Sequence, residues 1–468
     1  MKNHYDIAVI GAGPAGMAAA TVAAEHGASV LLLDEQPAAG GQIYRSIGRQ
    51  ALTDRDILGA DYYQGEALLS ALQASGAEHI AGATVWQLST EREIGVSKDG
   101  TAQLLTADQV IIATGALERP IPVPGWTLPG AMTVGGAQVL LKSAALAEPD
   151  AVFAGSGPLL YLVANQYLKA GVPIRAILDT TPRNNMVRAA RYLPAALMSV
   201  PALMKGRRWL SELHAAGIPF VKDIEDLKLI GEDALSGVEY RHRGRWTRID
   251  TSRVFLHQGV VPNVNLAMAT GCAHVWSESQ LCWQAVTDTW GESDVPGVAV
   301  AGDGVAINGA RAAQCLGHIA GYGALHRCGR IDTRERNWHA APHRRVLAKE
   351  WRIRPFLDAM FRPPEQFRLP ADDDTIVCRC EEVTAGRIRE SVALGCLGPN
   401  QLKGFSRCGM GPCQGRFCGL TISEMIAKHR GVSVAEVGAL RLRPPVKPLM
   451  LGELAALASA PESQSESD

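Results

Sequence analysis

A glycine-rich strand–turn–helix pattern occurs twice in the chain, and this repeat restricts the fold more than any other feature. Residues 7–35 read IAVIGAGPAGMAAATVAAEHGASVLLLDE, and residues 151–179 read AVFAGSGPLLYLVANQYLKAGVPIRAILD. At an offset of 144, Gly11 falls on Gly155, Gly13 on Gly157, Gly27 on Gly171 and Glu35 on Asp179. Each copy holds an apolar strand, a glycine turn, a helix, a second apolar strand and a terminal carboxylate. That is the order of a βαβ dinucleotide-binding unit. Two copies predict an α/β chain with two Rossmann-like domains.

The spacing predicts a first dinucleotide-binding part over 1–125, an inserted Rossmann domain over 126–255 and the second part of the first domain over 256–330. Short extended runs in 84–105 suggest a β-meander leading into the strand QVIIATG, and 181–215 reads as amphipathic helix broken by Pro194 and Pro201. Composition then shifts to Arg, His, Trp and Pro over 331–370, which reads as a linker with some helix. A cysteine-bearing module over 371–454 and a disordered polar tail over 455–468 complete the expected organisation.

In the first turn, Gly11 permits the tight bend, Gly13 lets backbone approach a pyrophosphate, and Gly16 lets the helix pack on the strand. Pro14 and Ala15 open that helix, whose N-terminal N–H groups would face the phosphates. For the ribose, the repeat register favours Glu35, whereas the usual helix length favours Asp34. Three later segments complete a set: Gly40-Gly41-Gln42, Ala113-Thr114-Gly115 and Ala301-Gly302-Asp303-Gly304. Together they resemble the two-dinucleotide-binding-domain flavoproteins, and the resemblance implies that Asp303 meets the ribityl chain of FAD. In the second turn Leu160 stands where the third glycine belongs, so Gly155, Gly157 and Asp179 mark a possible second nucleotide site. Asp179 suits a free ribose 2′-hydroxyl, hence NAD rather than NADP. A working nicotinamide site and a retained fold with a lost ligand both remain open there.

Cysteine placement is equally informative. All ten cysteines follow residue 271, so the first unit has no CxxC and disulfide-reductase chemistry is excluded. Six fall from Cys378 to Cys418 inclusive, with one residue intervening between Cys378 and Cys380 and four between Cys413 and Cys418. Two close thiolate pairs suit a four-thiolate site, either zinc or [2Fe–2S]. Local spacing alone leaves Cys408 in competition, because four residues also intervene between it and Cys413. Cys396, in the apolar run SVALGC, reads as a buried structural thiol. No catalytic residue can be assigned: His257, His274 and His318 occupy apolar or helical settings that suit satisfied structural histidines.

Lys and Arg total 46 against 47 Asp and Glu, which offers no global field for nucleic acid or anionic membrane. Glycines and Asp6 break the apolar stretch 7–24, so it reads as strand, turn and helix rather than as a membrane span or signal peptide. Clustered thiols without such a segment point to the cytoplasm.

The CxC spacing and the 32 residues between Cys380 and Cys413 resemble the bacterioferritin-associated-ferredoxin-like [2Fe–2S] domain, and GMGPCQGRFC its form appended to flavin dehydrogenases. This resemblance implies ligation by Cys378, Cys380, Cys413 and Cys418. With GGQIYR, PGWTLPGAMT, GSGPLL, AGDG and CRCEEVT, the chain from Asp6 to about Leu454 resembles the α subunits of multisubunit amino-acid, opine and D-hydroxyproline dehydrogenases, a family that includes a hydrogen cyanide synthase subunit. The resemblance implies an electron-relaying subunit beside a FAD-containing β subunit that oxidises the C–N bond of a small amino acid or amine, with a small γ subunit. It also implies FAD or another adenine nucleotide in the first pocket, [2Fe–2S] in the module, and FMN at a subunit interface. Membrane contact would come only through partners. A self-sufficient NADH-dependent reductase and a non-catalytic scaffold are the rival expectations.

Overall fold

The computed structural model describes residues 1–49 and 51–458. The first sheet has seven strands. Its parallel core places Glu78–Ala81, Val30–Asp34, His4–Ile10 and Thr101–Ile112 side by side, and Val298–Val300 pairs with the far end of the last of these. The strand Thr101–Ile112 runs the whole height of this sheet. Its first half closes an antiparallel meander with Thr84–Leu88 and Glu93–Lys98, and its second half enters the parallel core. TAQLL and QVIIATG, expected as separate strands, are thus one. The strand Val30–Asp34 is buried along its length, as expected where helices cover both faces of a parallel sheet.

The second sheet is a five-stranded parallel array in the order Phe220–Lys222, Ile174–Asp179, Ala151–Ser156, Val254–Gln258 and Ala131–Thr133. The strand Val254–Gln258 lies wholly inside it, so this unit extends past the expected boundary at 255. The antiparallel ribbon Ala116–Glu118 with Val260–Pro262 follows and joins the two units.

Two segments depart from expectation. The stretch 331–370 is an integral layer: Thr333–Glu350 packs on the helix Ala310–Arg327, and Arg354–Met360 packs on Arg183–Ala190. The tail expected from 455 begins as helix, since Leu451–Ala458 is helical, and 459–468 lies outside the described residues. The cysteine module is helical, with its own core built on Ile388, Leu402, Ile422 and Ile426.

Candidate dinucleotide and thiolate sites

The glycine motifs of the first unit converge on one end of the helix Pro14–Glu25. Gly13 is its N-cap; no side chain caps the helix, and its first turn carries no acidic residue. Its N–H groups are therefore left to an anion, with the helix dipole behind them. A Cβ on Gly16 would fall 1.8 Å from the Gly11 carbonyl oxygen, so helix and turn are in direct contact. A Cβ on Gly13 would meet only the Gly41 Cα, at 3.7 Å. The protein leaves room there, and it is the room a pyrophosphate would take. Gly302 lies against Ala15, Gly304 against Gly115, and Gly11 against Ala113 and Thr114, so all four segments meet at this helix terminus. These residues fit an adenine dinucleotide.

The carboxylate at the turn is Asp34. Its Oδ2 accepts the Ala12 N–H at 2.5 Å and its Oδ1 accepts the Gln36 N–H at 2.7 Å. Burial pushes its pKa up, opposed by the two N–H donors. Glu35 is exposed and pairs with Lys447. The register favouring Glu35 fails for a visible reason. Ile10 pairs with Leu33 in the first unit and Gly155 with Asp179 in the second, which makes Asp34 the counterpart of Asp179. A register shift between Ile174 and Ala176 takes up the extra residue of the second copy. Asp303 Oδ1 accepts the N–H groups of Asn308 and Gly309 at 2.9 and 3.1 Å, and its enclosed position raises its pKa by desolvation.

Lys142 gave no sign of a role in the sequence. It is buried, and its Nζ donates to the carbonyls of Gln42 (3.2 Å) and Ile43 (2.8 Å) and to Gln138 Oε1 (2.9 Å), which pins the Gly40-Gly41-Gln42 loop from the second unit. Burial, aided by the charge of Arg45, pushes its pKa down to about 7.

The second turn is occupied differently. Leu160, in the place of the third glycine, is fully buried in the main core. Asp179 Oδ2 accepts the Tyr161 hydroxyl at 2.9 Å, and Oδ1 accepts the Thr181 N–H at 2.8 Å. Phe361, from the segment expected to be a linker, packs on Tyr161. The His257 ring sits beneath Gly157, with its Nδ1 2.7 Å from Glu118 Oε1, while Glu118 Oε2 accepts the Gly135 N–H. His274 and His318 likewise hold backbone carbonyls, of Cys272 and Gln314.

In the module, the sulfurs of Cys378, Cys408 and Cys418 converge within 4.8 Å of one another, all buried. Cys380 lies beside Cys413, and Gly411 makes that approach possible, since a Cβ there would fall 2.2 Å from the Cys380 Cβ. Hydrogen bonds from the thiols of Cys408 and Cys418, then from the N–H groups of Gly409 and Glu381, pull the Cys378 pKa down to about 2, while Cys408 and Cys418 are pushed up as the donors. Five thiols thus gather, one more than a four-thiolate cluster needs, and the four expected ligands are among them. Cys396 stands apart, buried, with its Sγ donating to the Gly398 carbonyl.

The module is fastened to both units. Glu424 lies buried between Arg119 and Arg368. Trp126 Nε1 donates to the Ile376 carbonyl at 2.7 Å, and Asn265 Nδ2 to the Gln414 carbonyl at 3.0 Å. Two residues before Asn265, Asn263 accepts from the Thr114 hydroxyl at 3.1 Å and donates to the Gly115 carbonyl at 2.9 Å. The dinucleotide turn and the cysteine loop are therefore parts of one hydrogen-bonded body.

This fold and this pocket define a two-dinucleotide-domain flavoprotein oxidoreductase. The pyridine nucleotide-disulphide oxidoreductase family profile matches residues 5–317, and the sarcosine oxidase A3 domain profile matches 373–458. The opine oxidase A subunit of Rhizobium meliloti is 43% identical over 466 residues, covering 98% of this chain and 88% of that protein. The hydrogen cyanide synthase subunit HcnB of Pseudomonas protegens is 30% identical, covering 94% and 95%. The chain belongs to the family of these opine oxidase A subunits, within the pyridine nucleotide-disulphide oxidoreductases. Among solved structures, L-proline dehydrogenase from P. horikoshii superposes with a TM-score of 0.71 at 17% identity, covering 96% of this chain and 79% of that one. Thioredoxin reductase of T. acidophilum gives 0.51 at 21% identity, covering 70% and 99%. These two likenesses concern the fold alone. Among the described residues, no helix is long and apolar enough to cross a membrane.

Proposed function

We propose that this chain is the electron-relaying α subunit of a flavin- and iron–sulfur-dependent dehydrogenase acting on the CH–NH bond of amino acids or secondary amines, of the opine or D-hydroxyproline type. Substrate oxidation belongs to a FAD-bearing β subunit, a small γ subunit completes the assembly, and FMN at the subunit interface is part of the same reading. The relatives being named as subunits supports a hetero-oligomer. So does the run of exposed apolar side chains Met186, Val187, Leu197, Met198 and Met204. We place the assembly in the cytoplasm, touching a membrane only through partners.

The single observation that carries the reading is the hydrogen-bonded connection from Thr114 and Gly115 through Asn263 and Asn265 to Gln414, which lies between Cys413 and Cys418. Gly11, Gly13, Pro14, Ala15, Gly16, Asp34, Gly41, Gln42, Thr114, Gly115, Gly302 and Asp303 would hold FAD, or another adenine nucleotide, with Glu35 at the rim. Cys378, Cys380, Cys413 and Cys418 would hold [2Fe–2S]. When bound, the flavin supplies exchange between two-electron and one-electron traffic and the cluster a one-electron outlet. The protein's own part is to present uncapped N–H groups to phosphate, to keep Asp34 and Asp303 oriented by backbone donors, and to gather the thiols, with Cys378, Cys413 and Cys418 buried and Cys380 exposed. In the second unit, the Tyr161 hydroxyl on Asp179 favours this relay over a self-sufficient NADH reductase.

The test is anaerobic reduction of the chain purified with its partners. The reduced wild type is expected to show a [2Fe–2S] electron paramagnetic resonance signal. Cys408→Ser should keep that signal and Cys418→Ser should remove or distort it. The reverse pattern would move the ligand set to Cys408, and iron-free protein from both wild type and variants would refute the cluster.

A further inference from the structure

The far end of the helix Pro14–Glu25 meets the helix Thr333–Glu350 at a group of imidazoles away from both sites described above. His26 closes the first helix, and Glu335 and His339 stand one turn apart on the second. One donor atom from each of His26, Glu335 and His339 lies within 4.8 Å of the other two, and His339 Nε2 is 3.9 Å from Glu335 Oε1. We propose that these three side chains form a site for a divalent transition-metal ion, zinc above all, with water in the fourth position.

The donor chemistry is the first support. Two imidazoles and one carboxylate suit zinc, and tetrahedral ligands about 2.0–2.1 Å from the ion stand roughly 3.3 Å apart. Closing the observed gaps therefore takes side-chain movements of about 1 Å, and Glu335, 47% exposed, is free to make them. Orientation is the second. His26 Nδ1 lies 2.8 Å from the Val22 carbonyl oxygen, a contact that requires the proton on Nδ1 and leaves the Nε2 lone pair for an ion. Metal-binding histidines are commonly fixed by this kind of outer hydrogen bond. His339 is held as well: its ring stacks on Tyr322 at 5.2 Å and meets His26 edge-on at 5.0 Å. Local charge is the third. The ion-pair contact of Glu335 is an imidazole rather than a Lys or Arg, and the charge of Glu25 reaches His318 and Tyr322 in the same group. A cation there would tie the helix that cradles the dinucleotide to the helix that leads toward the cysteine module. His318 and His343 stack on each other at 4.0 Å but are not members of the converging trio.

Zinc titration of the chelator-treated full chain tests this, with cobalt as a spectroscopic probe. Tetrahedral cobalt on nitrogen and oxygen ligands shows d–d absorption without the thiolate charge-transfer bands of cobalt on cysteine, so the two kinds of site are read separately. Wild type should bind one more equivalent of zinc than His26→Ala or His339→Ala and show the cobalt band those variants lack. His429→Ala, on an exposed position in the cysteine module, should match wild type. Added zinc should raise the melting temperature of wild type more than that of His339→Ala. Glu335→Gln alters a solvent-facing side chain, folds regardless, and should weaken zinc binding at least tenfold. Equal stoichiometry in wild type and the histidine variants, or unchanged affinity in Glu335→Gln, would overturn the proposal.

Discussion

Gly13 has room for a side chain in the protein itself and none once a pyrophosphate lies on the helix terminus. Its φ of −76° is one any L-residue adopts, and an added Cβ touches only Gly41 at an ordinary distance. Gly13→Val is therefore expected to keep the fold and its melting temperature while losing bound nucleotide. Nucleotide released on denaturation and quantified by chromatography checks this, and undiminished content would refute the site. Lys142 makes a prediction in pH. Its folded pKa of about 7 lies below its ordinary 10.5, so between these values the unfolded chain holds a proton that the folded chain has shed. Wild type should therefore gain stability relative to Lys142→Met as pH rises from 7 toward 10, by at most about 1.4 kcal/mol per unit. Parallel melting curves for the two proteins across that range would contradict the shift. The glycine motifs were legible because each is a local necessity of backbone approach. The choice between Asp34 and Glu35 was not, because the register shift beside Arg175 leaves no mark in the spelling of the repeat. Lys142 carried no signal either, as its carbonyl partners lie about a hundred residues away.

The helix Gly419–Arg430 shows the same limit at the scale of an element. The sequence places it in a cysteine-bearing module, but nothing local marks Glu424 as the carboxylate that lies between two guanidiniums. Burial pushes the pKa of both Arg119 and Arg368 down to about 10, and Glu424 is the carboxylate buried between them. Removing one member of a buried ionic group costs about 3–5 kcal/mol, because the charges left behind stay desolvated. Glu424→Leu should therefore loosen the module from the two dinucleotide units. Protease cleavage between Met360 and Ile376 is expected to accelerate at least tenfold, and cleavage at the wild-type rate would show that the triad does not hold the module. The helix Thr333–Glu350 was hidden by its composition, since Arg and His suggest solvent. A usable signal did exist: Asp332 accepts the Glu335 N–H, the Asp-x-x-Glu start of a helix.

Across the whole molecule, the two sheets and the module bury their apolar faces in four clusters, yet one region of the second unit does not. Along 186–204, Val187 is 76% exposed, Met204 66%, and Met198 and Met186 65% each. These side chains follow Asp179 on the helix Arg183–Ala190, the 3-10 turn Leu197–Ser199 and the helix Val200–Ala215, with Pro194 and Pro201 in the first turns of their helices, and they present methionine and aliphatic surface to solvent. Scattered single exposures would need no explanation; a run of this kind marks an interaction surface. The amphipathic reading of 181–215 anticipated helices but could not tell which face the protein itself covers. If the face receives the β subunit, charge placed on it should prevent assembly and leave the fold alone. Val187→Lys with Met198→Lys is therefore expected to keep the melting temperature and nucleotide content of the isolated chain, while co-purification with the co-expressed β subunit falls at least tenfold. Size-exclusion chromatography of the co-expressed pair reads the outcome. Undiminished complex formation by the doubly charged variant would move the interface elsewhere on the molecule.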